Sequence, residues 1–310
     1  MALDSQQKIV TILGAGVWGS ALAKLVAKGD RDRVCLWSRR GSVPLSDAIA
    51  RADVILSAVS MLGVRPTIEA LQALNLPKKA IVVSATKGLD PSARQTPSRM
   101  WQAAFPQHST VVLSGPNLSK EIQQGLPAAT AAASTDLAAA ETVQDIFSSE
   151  SFRVYVNSDP IGTELGGTLK NVMAIAAGVC DGLHLGTNAK AALLTRALPE
   201  MVRVGRHLGA SAGTFYGLSG IGDLLATCNS PLSRNYQVGY GLARGSNLDA
   251  ILATLEGTAE GVNTTQVLVQ LAQEHNLDVP IAQQVYRLLE GEVTPQKAVH
   301  ALMERELKSE

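Results

Sequence analysis

An excess of either charge is missing from this chain: 27 Lys and Arg stand against 27 Asp and Glu. No overall field therefore recommends nucleic acid or an anionic membrane surface as a partner, and a small molecule is expected instead. Long apolar runs are missing too. Nothing approaches the ~18 residues needed to cross a bilayer, and residues 1–7 are polar without an apolar signal core, so neither stable membrane insertion nor export is expected. The cytoplasm is the expected compartment. Cysteine is sparse: Cys35, Cys180 and Cys228 are odd in number, far apart and without a C-x-x-C spacing. They read as reduced thiols rather than bridges or a metal site, with Cys35 part of an apolar strand. The five histidines, His108, His184, His207, His275 and His300, fall outside every motif below and read as structural or surface residues. No internal repeat and no low-complexity tail is present.

What the chain has is a strand-like run, Lys8 to Leu13, passing directly into Gly14-Ala15-Gly16-Val17-Trp18-Gly19 and then into the helix start Ser20-Ala21-Leu22-Ala23. This is a dinucleotide-binding fingerprint in its proper setting. Gly14 makes the tight turn, Gly16 lets a pyrophosphate approach bare backbone, and Gly19 lets the helix sit close on the strand, with the helix N-terminus facing the negative charge. The second strand, Arg33 to Trp37, ends in Ser38-Arg39-Arg40 with no acidic residue to take a ribose 2′-hydroxyl. Two guanidinium groups there suit a 2′-phosphate, because Arg forms bidentate bonds to phosphate. The plain alternatives are a glycine turn and a solvated basic loop.

At 310 residues the chain is long enough for two cored domains. Short β-branched runs alternate with helix-length segments through about residue 157: Ile9-Leu13, Val34-Trp37, Val54-Val59, Ala80-Ala85, Thr110-Leu113, Ala128-Ala133 and Phe152-Val156. The expected fold is α/β, a doubly wound, Rossmann-like and mainly parallel sheet over residues 1–158. Several runs are apolar without alternation, as strands covered on both faces should be. After Asp159-Pro160 helical spacing takes over, which predicts an all-α domain over 159–310 whose longest helix runs from Thr163 to Gly182.

Ligands of open α/β sheets bind beyond the carboxyl ends of the strands. The fourth run ends in Ala85-Thr86-Lys87-Gly88 and the fifth in Ser114-Gly115-Pro116-Asn117. Lys87 reads either as a lysine at the mouth of that crevice or as an ordinary loop lysine. In the helical half, Lys170 has Gly166, Ala174 and Gly178 as helical neighbours. Lysine on such a packed face is either a functional ammonium or a side chain that snorkels to an edge, and its neighbour Asn171 suits a hydroxyl or carbonyl. Asp223 and Thr227 stand one helical turn apart after a glycine turn, and Asp223 alone would also serve as an N-cap. Ser233-Arg234-Asn235 offers a hydroxyl, a forked cation and an amide in succession, a set suited to a phosphate monoester or else a charged loop leading into a helix from Tyr236 to Arg244.

Taken in order, these motifs resemble the bacterial type of NAD(P)-dependent glycerol-3-phosphate dehydrogenase over nearly the whole length. Ser151-Phe152-Arg153-Val154-Tyr155, Leu165-Gly166-Gly167-Thr168-Leu169-Lys170-Asn171, Gly222-Asp223-Leu224, Thr227-Cys228 and Glu260-Gly261 join those already named. The resemblance implies reversible conversion of dihydroxyacetone phosphate to sn-glycerol 3-phosphate, a precursor for glycerophospholipid synthesis, with Lys170 as proton donor and acceptor beside Asp223. It implies that Lys87, Gly115, Asn117, Ser233, Arg234 and Asn235 hold the phosphorylated triose. For the cofactor it points to Gly14, Gly16, Trp18, Gly19, Arg39, Arg40, Lys87, Ser119, Arg234 and Glu260. NADPH or NADH is the implied cofactor, with NADPH favoured and no metal, and a homodimer is left open. The sequence departs from the family pattern in a short segment between Arg40 and Asp53 and in Ala58-Val59-Ser60-Met61, where relatives usually carry Val-Pro-Ser. The competing readings are a hydroxyisobutyrate-type or ketopantoate-type reductase, whose substrates are carboxylates, and a non-catalytic NADPH-responsive binding protein, which could dispense with Lys170 and Asp223.

Overall fold

The computed structural model describes residues 7–28 and 32–306. It divides into two compact units, one of Met1–Lys87 with Gln95–Glu164, the other of Gly88–Arg94 with Leu165–Glu310.

The first unit is built on strands β1 (Ile9–Leu13), β2 (Arg33–Trp37), β3 (Val54–Ser57), β4 (Ile81–Ser84), β5 (Thr110–Ser114), β6 (Ala128–Ala133) and β7 (Phe152–Asn157). They form one sheet in the order β2-β1-β3-β4-β5-β6-β7. All seven runs expected from the sequence are strands, the third and fourth a residue or two shorter at their ends. Strands β1 to β5 are parallel, β6 lies antiparallel to β5, and β7 is parallel to β6. Both faces are covered. Val10, Ile12, Val54, Leu56 and Val83 pack on helices α1 (Val17–Lys28) and α6 (Leu137–Phe147), through Leu22, Val26, Val143 and Phe147. The intervening Leu13, Ile55 and Val82 meet α3 (Met61–Gln72) and α4 (Pro97–Ala104) on the other face, beside the short helix α2 (Leu45–Ile49). Period-two alternation with both faces apolar is why these strands read as continuous hydrophobic runs. The short helix α5 (Ser119–Gln123) follows β5.

A buried carboxylate ties this unit's last residues to its sheet. Glu164 is 1% exposed. It accepts from Ser84 Oγ at 3.0 Å and from the Ser98 backbone N–H at 2.9 Å, and Ser98 Oγ also donates to it. Burial pushes its pKa above the usual carboxylate range, against those hydrogen bonds.

The second unit is helical: α7 (Pro160–Gly182), whose first turn belongs to the first unit, α8 (Gly186–His207), α9 (Asp223–Cys228), α10 (Arg234–Ala243), α11 (Leu248–Thr254), α12 (Glu260–Glu274), α13 (Pro280–Leu289) and α14 (Pro295–Met303). Helix α7 begins three residues before the expected Thr163. Proline is well placed in a first turn, where its missing N–H is not needed, and the Asp159 carboxylate accepts from Gly162 N at 2.9 Å. Leu169, Val172, Met173, Ile175 and Ala177 are all buried, so α7 is enclosed on every side. Its partner α10 comes very close: a Cβ added at Gly239 would lie 1.8 Å from Ile175 O. Among the described residues no helix is long and apolar enough to cross a membrane.

Glu200 on α8 caps a neighbouring helix. Its two carboxylate oxygens accept from Ile281 N at 3.0 Å and Ala282 N at 2.9 Å, in the first turn of α13. Burial pushes its pKa from 4.5 up to about 7, outweighing the two backbone donors that favour the anion. The native state therefore binds the proton more tightly than the unfolded chain, and stability falls as pH rises from about 4.5 to about 7, by roughly 3 kcal/mol in all. Glu200→Gln, which keeps an acceptor for the α13 amides, is expected to flatten that part of the profile. Urea unfolding of both proteins between pH 5 and pH 8 checks this, and parallel profiles would show that Glu200 ionises normally.

Candidate active site

In the first unit the nucleotide residues expected from the sequence lie beyond the carboxyl ends of the parallel strands, except Arg234 and Glu260, which belong to the second unit. The chain leaves β1 toward β2 on one side and returns to β3 on the other, so the switch point of the sheet lies between β1 and β3. Gly14 follows β1 there with φ of 115°, and a Cβ on it would lie 2.8 Å from Ala58 O just beyond β3. A Cβ at Gly19 would meet Gly14 O at 1.8 Å, whereas one at Gly16 would meet nothing within 4 Å. Gly14 and Gly19 are thus demanded by packing, and Gly16 leaves open room at the N-terminus of α1, whose first turn holds no acidic residue. That room fits a pyrophosphate.

Around it, Trp18 is half-buried and its indole N–H donates to Ala85 O at 3.2 Å. Arg39 and Arg40 are exposed in the turn after β2. Lys87, beyond β4, donates to Gly115 O at 3.1 Å, beyond β5. A Cβ at Gly115 would lie 2.8 Å from Thr130 Cα, and Asn117 Nδ2 donates to Thr130 Oγ1 at 2.9 Å. The Asn117 Oδ1 is buried without a hydrogen-bond partner. Ser119, the first residue of α5, is half-buried.

The second unit carries the ionic chemistry. Lys170 Nζ stands 3.0 Å from Asp223 Oδ1 and donates to Thr227 Oγ1 at 2.6 Å. Thr227 in turn donates to Asp223 Oδ1 at 3.0 Å. Only 9% of the Lys170 side chain and 2% of the Asp223 side chain meet solvent. Lys170 therefore does not snorkel to an edge, and Asp223 is no mere helix cap: Gly222 occupies the cap position and the Asp223 carboxylate turns to the lysine. A single π-helical turn, Leu218–Gly222, delivers Asp223 to this place. It packs on α7 one turn before Lys170, where a Cβ at Gly166 would lie 2.5 Å from Ser219 O.

A neutral relay flanks the ion pair. Asn235 Nδ2 donates to Asn171 Oδ1 at 2.9 Å, and Asn235 Oδ1 accepts from Gly261 N at 2.9 Å. Ser233 is the N-cap of α10, accepting from Tyr236 N at 3.2 Å. The helix starts at Arg234 rather than at the expected Tyr236, so Arg234 and Asn235 lie in its first turn. The charge of Glu260, first residue of α12, acts on the Arg234 guanidinium. Thr227 was not among the candidate site residues, although its i+4 spacing from Asp223 was visible. Gly257 gave no signal: with φ of 102°, it leaves the space in which Arg234 Nη1 sits, 2.4 Å from where a Cβ would be. A concavity of about 880 Å³ in the same unit, walled by Lys190, Leu194, Leu198, Leu224 and Leu225 among others, is lined by none of the candidate site residues.

The histidines stand apart from this chemistry. His108 contacts Pro77 O, His184 contacts Arg244, His207 and His275 pack ring to ring, and His300 pairs with Glu304. The three cysteines are free thiols. Among the described residues no group of three or more His, Cys, Asp or Glu side chains could hold a metal ion.

Comparison with known proteins shows the family. Residues 159–300 match the family model for the NAD-dependent glycerol-3-phosphate dehydrogenase C-terminus, and residues 9–44 and 41–140 match the N-terminal model of the same family. The chain belongs to the NAD-dependent glycerol-3-phosphate dehydrogenase family. The two N-terminal pieces meet at residues 41–44, within the short segment noted in the sequence. Among family members, a glycerol-3-phosphate dehydrogenase [NAD(P)+] from Nostoc sp. is 64% identical over 306 residues, covering 98% of this chain and 99% of the relative. Another, from Acaryochloris marina, is 62% identical over 301 residues and 97% of each chain. The crystal structure of glycerol-3-phosphate dehydrogenase from Coxiella burnetii superposes with a TM-score of 0.92 at 32% identity, covering 96% of this chain and 99% of the other.

Gly257→Ala is expected to push the Arg234 guanidinium out of its seat. The strain of an alanine at positive φ, about 1–2 kcal/mol, should lower the melting temperature by only a few degrees, while affinity for a phosphate-bearing ligand, read by calorimetric titration, should fall several-fold. Unchanged affinity would mean that the guanidinium binds from another position.

Proposed function

We propose that this chain catalyses the reversible, NAD(P)-dependent interconversion of dihydroxyacetone phosphate and sn-glycerol 3-phosphate. The observation that carries the reading is the buried Lys170-Thr227-Asp223 cluster beside a phosphate-type donor set in a member of this family. A reduced nicotinamide held by the cofactor set would supply the hydride for the substrate's carbonyl carbon. Lys170 gives its proton to the carbonyl oxygen, so that negative charge is neutralised where it develops. Asp223 favours the charged form of the lysine, and Thr227 fixes the direction of its N–H bonds. In the oxidative direction the neutral Lys170 amine takes the proton from the substrate hydroxyl.

Arg234 supplies a forked donor to the phosphate, the Ser233 hydroxyl donates while its oxygen stays engaged as the cap of α10, and Asn235 offers its second amide hydrogen. Lys87, Gly115 and Asn117 complete the substrate set. The cofactor set is Gly14, Gly16, Trp18, Gly19, Arg39, Arg40, Lys87 and Ser119, together with Arg234 and Glu260. Residues 1–158 form the dinucleotide-binding domain in this reading, and 159–310 the substrate domain. The enzyme acts in the cytoplasm, and its product is a precursor of glycerophospholipids. A phosphorylated substrate is favoured over the carboxylates of the ketopantoate type by the Ser233, Arg234 and Asn235 donors in one helical turn, and the Lys170-Asp223 pair favours an enzyme over a sensor.

The decisive experiment follows reduced-nicotinamide absorbance with dihydroxyacetone phosphate and with unphosphorylated dihydroxyacetone. Oxidation that requires the phosphate is expected, and Lys170→Met should slow it by about 10²- to 10⁴-fold while NADPH still binds. Turnover that survives in Lys170→Met would remove this lysine from the chemistry. Replacing Arg39 and Arg40 together by Ala should weaken NADPH more than NADH, and equal loss for the two would sink the 2′-phosphate assignment.

A further inference from the structure

Arg39 and Arg40 sit on a loop that has no right to be ordered by composition. It is exposed, it contains Gly41 and Ser42, and the arginines carry about 2 kcal/mol of rotamer entropy each. Among the described residues neither guanidinium has a hydrogen bond or ion pair. The loop is nevertheless closed. Gly41 N donates to Ser38 O at 3.0 Å, so Arg39 and Arg40 are the two central residues of a tight turn. Beyond it, the Trp37 indole N–H donates to Val43 O at 3.0 Å, six residues on.

Trp37 is itself held at three points. Its carbonyl accepts from Gly14 N at 2.9 Å, the first glycine of the pyrophosphate loop. Its backbone is the last of β2, in register with Leu13 of β1. Its ring packs on the core face that includes Leu13, Ile49 and Ile55. One residue thus connects the sheet and the glycine loop, through its backbone, with the far end of the arginine turn, through its indole.

We propose that Trp37 is a positioning residue for cofactor selectivity: by holding Val43 it keeps the Ser38–Gly41 turn in the shape that presents Arg39 and Arg40 together to the adenosine 2′-phosphate. This rests on the reading of those two arginines as the 2′-phosphate donors. A rigid turn lets both forks bind without first being ordered, so the benefit falls on the ligand that carries the 2′-phosphate and not on the rest of the nucleotide.

The test is calorimetric titration of the full chain with adenosine 2′,5′-bisphosphate and with 5′-AMP, which needs no turnover. Trp37→Phe keeps an aromatic ring on the core and removes the N–H donor, with some loss of packing area. Its preference for the bisphosphate is expected to drop by about two- to tenfold, the range for one lost hydrogen bond, with 5′-AMP affinity and melting temperature close to those of the parent. Gly41→Pro, which removes the donor of the turn itself, should move the preference the same way. If Trp37→Phe and Gly41→Pro keep the parental preference while the double Arg39→Ala, Arg40→Ala variant loses it, the arginines act without a held turn and the inference falls alone. If the double variant keeps the preference as well, the 2′-phosphate reading falls with it.

Discussion

Lys170 places an ammonium where 9% of its side chain meets solvent, and the Asp223 carboxylate at 3.0 Å with the Thr227 hydroxyl at 2.6 Å is what keeps that charge tolerable there. Removing either charged partner would strand the other, at a cost of about 3–5 kcal/mol. Much of the helical unit follows from that requirement. Helix α7 must be enclosed, so its neighbours approach at backbone distance, as Gly239 does on Ile175. Asp223 must arrive from another element at the right height, and the π-helical turn before it, seated on Gly166, delivers it. The asparagine relay adds hydrogen bonds but no charge beside the pair.

The first unit meets a different demand. Where the proposed nucleotide would lie, the sheet offers open room at Gly16, a helix N-terminus free of acids and exposed arginines at the end of β2, rather than a buried ion pair. The half-buried Lys87 is held by the Gly115 carbonyl.

Sequence patterns carried much of this because they record short-range physics. Strands covered on both faces leave uninterrupted apolar runs, and a glycine fingerprint between a strand and a helix leaves little choice of turn. Strand direction is not written in such runs: Ala128–Ala133 is five alanines and a threonine, and nothing in it distinguishes the antiparallel β6 from its parallel neighbours. Thr227 was legible through its spacing from Asp223. The links from Asn235 to Asn171, 64 residues back, and from Trp37 to the carbonyl of Val43 were not, since the first is tertiary and the second ends on an atom that every residue has.

The Glu164 carboxylate has a consequence for the order in which the chain matures. Its partners Ser84 and Ser98 are made 80 and 66 residues earlier. During synthesis at roughly 5–20 residues per second, the sheet's fourth strand and the start of α4 wait several seconds for it. Until residue 164 has been made, Ser84 and Ser98 lack the acceptor they share in the complete fold. The first unit thus completes itself only as the helix that opens the second is being made.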